Sequence, residues 1–310
     1  GLLGRRAFRG IATPLANLME GAERVAAGDL SVRVPAAGRG EFAQLSGAFN
    51  HMVEELALAD QRRRNLTADV AHELRTPLQI IQGNLEGILD GVYQPTAEHL
   101  EATLGETRLL ARLVEDLRVL SQAEAGQLPM HWESVAVAEL LADVATSFSG
   151  QAQSAGVRLG VTVGGQPLAL EANGDAPAPP LAIRADYGRL EQVLGNLLAN
   201  ALRHTPAGGS VTLTADATAM GVQIGVADSG EGIASADLPF IFDRFWRSDR
   251  ARTHVAGAGS GLGLAIARQL IHAHGGAISV ASTPGQGTTF TITLVNAAPA
   301  NPAPANATSA

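Results

Sequence analysis

The chain has 310 residues, a formal net charge of -8, no cysteine, and 22 basic residues that are all arginine. This composition excludes disulfides and thiolate chemistry. It also excludes every mechanism that needs a lysine amine: a Walker A phosphate loop, a protein-kinase strand lysine, a Schiff base.

The acidic balance argues against nucleic acid as a partner, because a surface that tracks phosphates needs a basic excess. No apolar run reaches the eighteen or so residues of a membrane span. Residues 1–9, Gly1-Leu2-Leu3-Gly4-Arg5-Arg6-Ala7-Phe8-Arg9, place three arginines after a Leu-Leu pair. That pattern suits the cytoplasmic flank of a span lying upstream, and also a plain basic tail.

Residues 10–60 read as two helices and a connector. Ile11, Leu15, Leu18, Ala22 and Val25 form one heptad seam, and Leu45, Phe49, Met52, Leu56 and Ala59 form another. Between them Gly28-Asp29-Leu30, Val32-Arg33-Val34-Pro35 and Gly38-Arg39-Gly40 break the helical period. Pro14 near the first helix start, Gly-Asp-Leu in the connector, Glu41 opening the second helix and Ala48-Phe49-Asn50-His51-Met52 after it together resemble a HAMP module. The resemblance implies a parallel four-helix relay. The cluster Asp60-Gln61-Arg62-Arg63-Arg64 reads as a solvated face.

Residues 61–125 read as a helical hairpin. Leu66, Val70, Leu74, Leu78, Ile81, Leu85 and Ile88 form the seam of its first helix. His72 lies about 200° around the wheel from Val70 and points away from that seam. Glu73 could accept the Nδ1 proton and leave Nε2 with a free lone pair. Thr76 stands one turn further on the same face. Pro77 removes the hydrogen bond to the Glu73 carbonyl at a cost of about 3 kcal/mol, which predicts a bend beside the histidine. On these residues alone a solvated histidine and a nucleophile both remain open.

The string Val70-Ala71-His72-Glu73-Leu74-Arg75-Thr76-Pro77-Leu78 closely resembles the phospho-acceptor box of sensor histidine kinases. A turn at Gly91 to Thr96, with Thr96 as N-cap, precedes a second amphipathic helix carrying Leu100, Leu104, Leu110, Leu113, Val114, Leu117 and Leu120. Two such helices cannot bury both faces alone. A homodimeric four-helix bundle is expected, the alternative being packing against the chain's own globular domain.

After a hinge at Gly126-Gln127-Leu128-Pro129 the period alternates through residues 130–295. Helices are expected over 137–155, 186–204 and 261–273, and strands over 157–163, 181–184, 210–217, 221–227, 277–282 and 288–294. The fold class is therefore multidomain: a helical coiled-coil and four-helix-bundle region, then an α/β sandwich with a mixed sheet covered by helices. The insert 164–180 and the tail 296–310 are rich in Gly, Ala and Pro and read as mobile.

Four strings in this last domain bear on chemistry. Asn196 and Asn200 share one helix face, as a solvated pair or as hard oxygen donors for Mg²⁺. Asp228-Ser229-Gly230-Glu231-Gly232 follows an apolar strand, either as a simple turn or as a carboxylate set against an adenine amino group. Gly257-Ala258-Gly259-Ser260-Gly261-Leu262-Gly263 leads into a helix, an arrangement that suits an anion. It is not the dinucleotide fingerprint, since Leu264 stands where the last glycine is needed. Thr283-Pro284-Gly285-Gln286-Gly287-Thr288-Thr289-Phe290 could close the pocket.

In order, with Phe240-Ile241-Phe242-Asp243-Arg244-Phe245 between the glycine strings, these resemble the N, glycine and phenylalanine boxes of the histidine-kinase ATP domain, whose pocket is shared with gyrase, Hsp90 and MutL ATPases. The resemblance covers about residues 10–295. It implies a sensor histidine kinase that phosphorylates His72 from Mg-ATP, with Glu73 and Thr76 in the catalytic group. It further implies Asn200 as the Mg²⁺ ligand beside Asn196, Arg203 near the phosphates, and Asp228 as adenine reader. Gly230, Gly232, Gly259, Gly261, Gly263 and Thr289 complete the cofactor set, and residues 248–258 form a lid.

The implied partners are a response regulator receiver domain and a second copy of the chain, at the cytoplasmic face of the cell membrane. Two departures stand out: Arg203-His204 replaces a Lys-Tyr pair, and Asn196 replaces the glutamate that activates water in the related ATPases. An ATPase that only drives opening and closing, and a non-enzymatic dimeric scaffold, are the competing readings. His272 and His274 form an H-x-H pair at a helix end, where histidines facing the helix dipole are commoner than a metal site.

Overall fold

A computed structural model describes residues 2–35, 41–168, 181–246 and 261–295, without the side chains of residues 2–12, 62, 63 and 66. The predicted lid at 248–258, Gly257, Gly259, His254, the tail 296–310, Gly38-Arg39-Gly40 and most of the insert lie outside the described residues. The chain divides into two compact units, one ending at Thr76 and one beginning at Pro77. Among the described residues no helix is long and apolar enough to cross a membrane.

In the first unit α1 (Leu2–Ala26) starts earlier than the heptad pattern predicts. The helix α2 (Glu41–Leu89) is continuous for 49 residues with Pro77 inside it, so the relay and acceptor segments share one helix. The connector is pinned by Asn50. Its Oδ1 accepts from Val34 N–H at 2.8 Å and its Nδ2 donates to Val34 C=O at 2.8 Å. Gly21 is required beneath it, because a Cβ there would stand 2.8 Å from a Val34 methyl. The Asp29 carboxyl is held at about 2 by hydrogen bonds from Ser31 and Arg24.

The buried stripe of this unit differs from the predicted seams. Ser46 and Val53 are buried with Leu18, Val32 and Val34, while Leu15, Leu45, Met52 and Leu56 are exposed. A helix that must touch more than one neighbour carries a stripe for each. The heptads seen in the sequence are split between the two: Leu18 and Phe49 lie inside the unit, while Leu15, Leu45, Met52 and Leu56 remain on the exposed side.

In the second unit Thr96 caps α3 (Ala97–Glu124) by accepting from His99 N–H. The Tyr93 ring folds over Gly87 and stacks on His99. The alternative expectation for the hairpin, packing against the chain's own globular domain, holds over part of its length. The later half of α3 packs against α6 (Gly263–Ala273), burying Val119 and Leu120, and Glu124 pairs with Arg244. Leu78, Leu85, Leu100 and Leu104 stay exposed.

The α/β portion comprises β1 (Glu133–Ala136), α4 (Val137–Ala155), β2 (Arg158–Val163), β3 (Gln166–Pro167), β4 (Ala182–Ala185), α5 (Tyr187–His204), β5 (Ser210–Thr218) and β6 (Gly221–Asp228). After α6 it ends with β7 (Ala277–Thr283) and β8 (Gly287–Val295). One mixed sheet has the order β3-β2-β5-β6-β8-β7, with only β2 and β5 parallel, and β1 pairs β4 separately. Val161, Leu213, Ile224, Phe290 and Ile292 point from alternate strand positions into a core shared with α4, α5 and α6.

His272 and His274 do not form a pair: His272 is exposed and His274 is buried. His274 Nδ1–H donates to Leu270 C=O at 2.7 Å, and its Nε2 accepts from Asp186 N–H at 3.1 Å. The ring is thereby fixed as one neutral tautomer. Burial pushes its pKa below the ordinary value, against the opposing pull of the Leu270 carbonyl and Asp186.

Below a pH of about 6.5 the unfolded histidine takes up a proton that the folded one refuses, so stability from this group is complete above that pH and is lost as pH falls. Asp116, pushed up to about 6 chiefly by burial, acts in the opposite sense. The expected result is that melting midpoints of the wild type fall faster between about pH 6.5 and 5 than those of His274→Phe. Parallel pH curves for the two would count against it.

Candidate nucleotide and phospho-acceptor residues

His72 is exposed on α2, as its place on the wheel predicts. Thr76 Oγ1 donates to the His72 carbonyl at 3.5 Å, so the threonine is turned onto the helix backbone. Among the described residues no hydrogen bond joins Glu73 to the imidazole. The expected clamp of Nδ1 by Glu73 is absent from this conformation, because successive helical side chains diverge by about 100°.

The other residues gather in the second unit. Asp186 caps α5, its Oδ1 accepting from Arg189 N–H at 3.0 Å and its Oδ2 from His131 N–H at 2.8 Å. One face of α5 is buried through Leu190, Val193, Leu194, Leu197, Leu198 and Ala201. Asn196, Asn200 and His204, four residues apart, remain half-buried on another, and Arg203 is exposed beside them. Asn196 Nδ2 donates to the Gly263 carbonyl at 3.1 Å, which ties α5 to the start of α6.

Asp228 ends β6 opposite this face. Its Oδ1 accepts from Gly230 N–H at 2.8 Å and from Thr288 N–H at 3.1 Å, so Oδ2 retains capacity for an incoming donor. Burial pushes this carboxyl up, and the two backbone donors and His204 pull it down.

Glycines build the backbone around Asp228. Gly230 lies against the His204 carbonyl, Gly232 (φ 70°) against Thr283, and Gly287 (φ 92°) against the Asp228 carbonyl. At each of these a Cβ would collide with backbone. Gly261 (φ 71°) serves a different contact: it abuts the Phe245 backbone, and Phe245 N–H donates to its carbonyl at 3.0 Å. Gly287→Ala is accordingly expected to destabilise the protein by at least about 2 kcal/mol, read as a lowered melting midpoint, with loss of nucleotide binding. An unchanged midpoint would contradict this account.

Thr289 is a correction. Its side chain is exposed on the face away from the helices, whereas Thr288 is buried and its amide holds Asp228. Strand parity decides between them, since Thr288 is in phase with Phe290 and Ile292. The sequence reading also missed Ser282, whose Oγ accepts from Ile233 N–H and meets the Thr288 hydroxyl at 2.9 Å. Its parity with Val280 in β7 was the available signal.

Among the described residues no three His, Asp or Glu side chains cluster as a metal site. Amide donors such as Asn200 and Asn196 suit a hard dication that arrives with phosphate and water ligands of its own, so the residues present fit Mg²⁺.

The fold is a mixed α/β sandwich following a helical hairpin. Residues 185–298 match the family described as histidine kinase-, DNA gyrase B-, and HSP90-like ATPase, residues 6–57 the HAMP domain, and residues 62–126 the His kinase A (phospho-acceptor) domain. The signal transduction histidine-protein kinase BaeS of Escherichia coli strain K12 is 34% identical over 286 residues, covering 92% of this chain and 58% of that protein.

Among solved structures, histidine kinase AdeS of Acinetobacter baumannii superposes with a TM-score of 0.58 at 30% identity, covering 73% of this chain and 98% of that one. Full-length ShkA in complex with AMPPNP gives 0.53 at 31% identity, covering 76% and 47%. The chain belongs to the sensor histidine kinases of two-component systems. It spans 58% of the length of BaeS, 38% of the sensor histidine kinase WalK of Bacillus subtilis strain 168 and 30% of the sensor protein DivL of Caulobacter vibrioides.

Proposed function

We propose that this chain autophosphorylates His72 from Mg-ATP, passes the phosphoryl group to an aspartate of a response regulator receiver domain, and also dephosphorylates that partner. The observation that carries the reading is the pairing, in one chain, of a solvent-exposed imidazole in the acceptor box with Asn200 and a backbone-braced Asp228 in an ATP-family sandwich. ShkA, whose structure holds AMPPNP, supports the nucleotide.

In the proposed mechanism Asp228 Oδ2 accepts from the adenine amino group and selects the base. Asn200 and Asn196 face the phosphate end, with Arg203 and the start of α6 beside them. Asn200 and Asn196 would hold a Mg²⁺ ion that arrives with the nucleotide, which would supply charge neutralisation for the migrating phosphoryl group. The imidazole of His72 attacks the γ-phosphorus in line, forming a P–N bond as the bond to the ADP oxygen breaks. Glu73 accepts the proton released from the ring, a role that needs a side-chain orientation different from the one described here. Thr76 orients water for the reverse, hydrolytic direction.

Asn196 in place of a carboxylate lowers direct hydrolysis of ATP, so the phosphoryl group waits for the histidine. Incubation with γ-labelled ATP and Mg²⁺ tests the reading: acid-labile, base-stable label on the protein supports it, and release of free phosphate without protein label overturns it.

The proposed domains are a flank over 1–9, a HAMP relay over 10–60, a dimerisation and phosphotransfer hairpin over 61–125, the ATP domain over 130–295 and a tail over 296–310. The HAMP match and the sensor-kinase relatives support a place at the cytoplasmic face of the membrane. The exposed leucines of the hairpin support a homodimer. Leu78→Glu combined with Leu85→Glu is expected to convert dimer to monomer at micromolar concentration, read by light scattering, because charge cannot be buried in an apolar seam without a partner. A wild type that is already monomeric would end the dimer proposal.

A further inference from the structure

The pair His204 and Glu231 lies beside Asp228 and has no part in the chemistry set out above. His204 ends α5, four residues past Asn200 and on the same face. Its backbone carbonyl accepts from Glu231 N–H at 3.2 Å, and its ring Nδ1 lies 2.8 Å from Glu231 Oε1. Gly230 lets the loop lie on the His204 carbonyl, and from the opposite side Gly285 N–H donates to Glu231 C=O at 2.7 Å. The loop after Asp228 is thus gripped by the end of α5 on one flank and by the β7–β8 turn on the other. Both side chains of the pair are open to solvent, 37% for His204 and 64% for Glu231, so they contribute little to packing.

We propose that His204 and Glu231 form a clasp that sets the nucleotide affinity of this site, Glu231 being a positioning residue that acts through His204 to hold the Asp228 loop against α5. The proposal rests on the nucleotide reading above and deepens it. An exposed side-chain pair of this kind loses at most about fivefold when broken, which sets the size of the effect. The clasp orders the loop before ATP arrives, so its loss falls on binding and not on phosphoryl transfer.

The test uses the full chain as wild type, His204→Gln, Glu231→Gln and the double variant. Mg-ATP is titrated by calorimetry, and autophosphorylation is measured across ATP concentration. Each single variant is expected to raise the Kd and KM for ATP about fivefold, with kcat within about twofold, and the double variant to be no worse than either single. Four outcomes overturn the clasp: affinity unchanged in the singles, losses that add in the double, a fall in kcat at constant KM, or a melting midpoint lowered by more than about 5 °C, which would make the pair merely structural. A wild-type chain that fails to bind Mg-ATP overturns the nucleotide reading itself, whereas binding wild type with unaffected variants overturns the clasp alone.

Discussion

Replacing His72 with glutamine is expected to remove the acid-labile label from the protein entirely, a fall of about 10³-fold or more, limited by the background of the assay. Glutamine keeps polarity and helix propensity, and the position is exposed, so neither α2 nor the fold of the first unit should suffer. It lacks a nitrogen lone pair that can attack phosphorus, because the amide nitrogen is delocalised into its carbonyl. The Asp228 and Asn200 site lies in the other compact unit, so Mg-ATP should still bind. Loss of label with retained binding separates the acceptor from the nucleotide site. Label that survives in His72→Gln with the same acid sensitivity would move the acceptor elsewhere, and alkali-sensitive, acid-stable label would point to a hydroxyl ester instead.

The second large effect is expected at Asp228. Asp228→Asn keeps an oxygen able to accept from Gly230 and Thr288 N–H groups, so the loop geometry of the wild type is preserved. It places an NH₂ where Oδ2 stood, and that group meets the adenine amino group donor to donor. Leaving a half-buried donor unpaired costs about 1–3 kcal/mol, which is about 5- to 150-fold in the Kd for Mg-ATP. The same amide can donate to the carbonyl that guanine carries at the equivalent position, so preference should shift from ATP towards GTP. Calorimetry with the two nucleotides checks both statements. Unchanged ATP affinity in Asp228→Asn would remove Asp228 from base recognition.

Much of the α/β domain is legible in the residue pattern. Helices predicted over 137–155 and 186–204 correspond to α4 and α5 within a residue, because both carry a broad apolar stripe and have Gly156 or Asp186 at a boundary. Among the short strands β4 matches the strand expected over 181–184, whereas β1 and β3 were not legible. Strand β1 is four residues long with a single fully buried position, and its partner β4 lies far along the chain. Strand β3 has only two residues. Neither has enough length to display a period of two.

The site was legible in its chemistry and less so in its geometry. Type and spacing single out Asn196, Asn200 and Asp228, and the structure adds that Asn196 is tied to the Gly263 carbonyl while Asp228 is braced by the Gly230 and Thr288 amides. Thr288 and Thr289 cannot be told apart in the sequence, because adjacent identical residues in a glycine-rich turn have no phase until the strand is placed in the sheet. Gly261 was assigned to an anion cradle with the other glycines, yet its bare Cα serves the approach of Phe245. A string of glycines does not reveal which of them faces backbone and which faces ligand.

The sequence by itself determined which chemistry is open to this protein. The absence of lysine and cysteine closes off whole mechanisms, and the proposed transfer of a phosphoryl group to His72 draws on residue types and local spacings that the chain carries. The tertiary structure alone decided which threonine braces the carboxylate, which stripe of α2 is spent inside the chain and which is left exposed, and that His204 is bound to Glu231. Those are facts about residues brought together from distant positions, and the energy of each depends on a neighbour that no local pattern names.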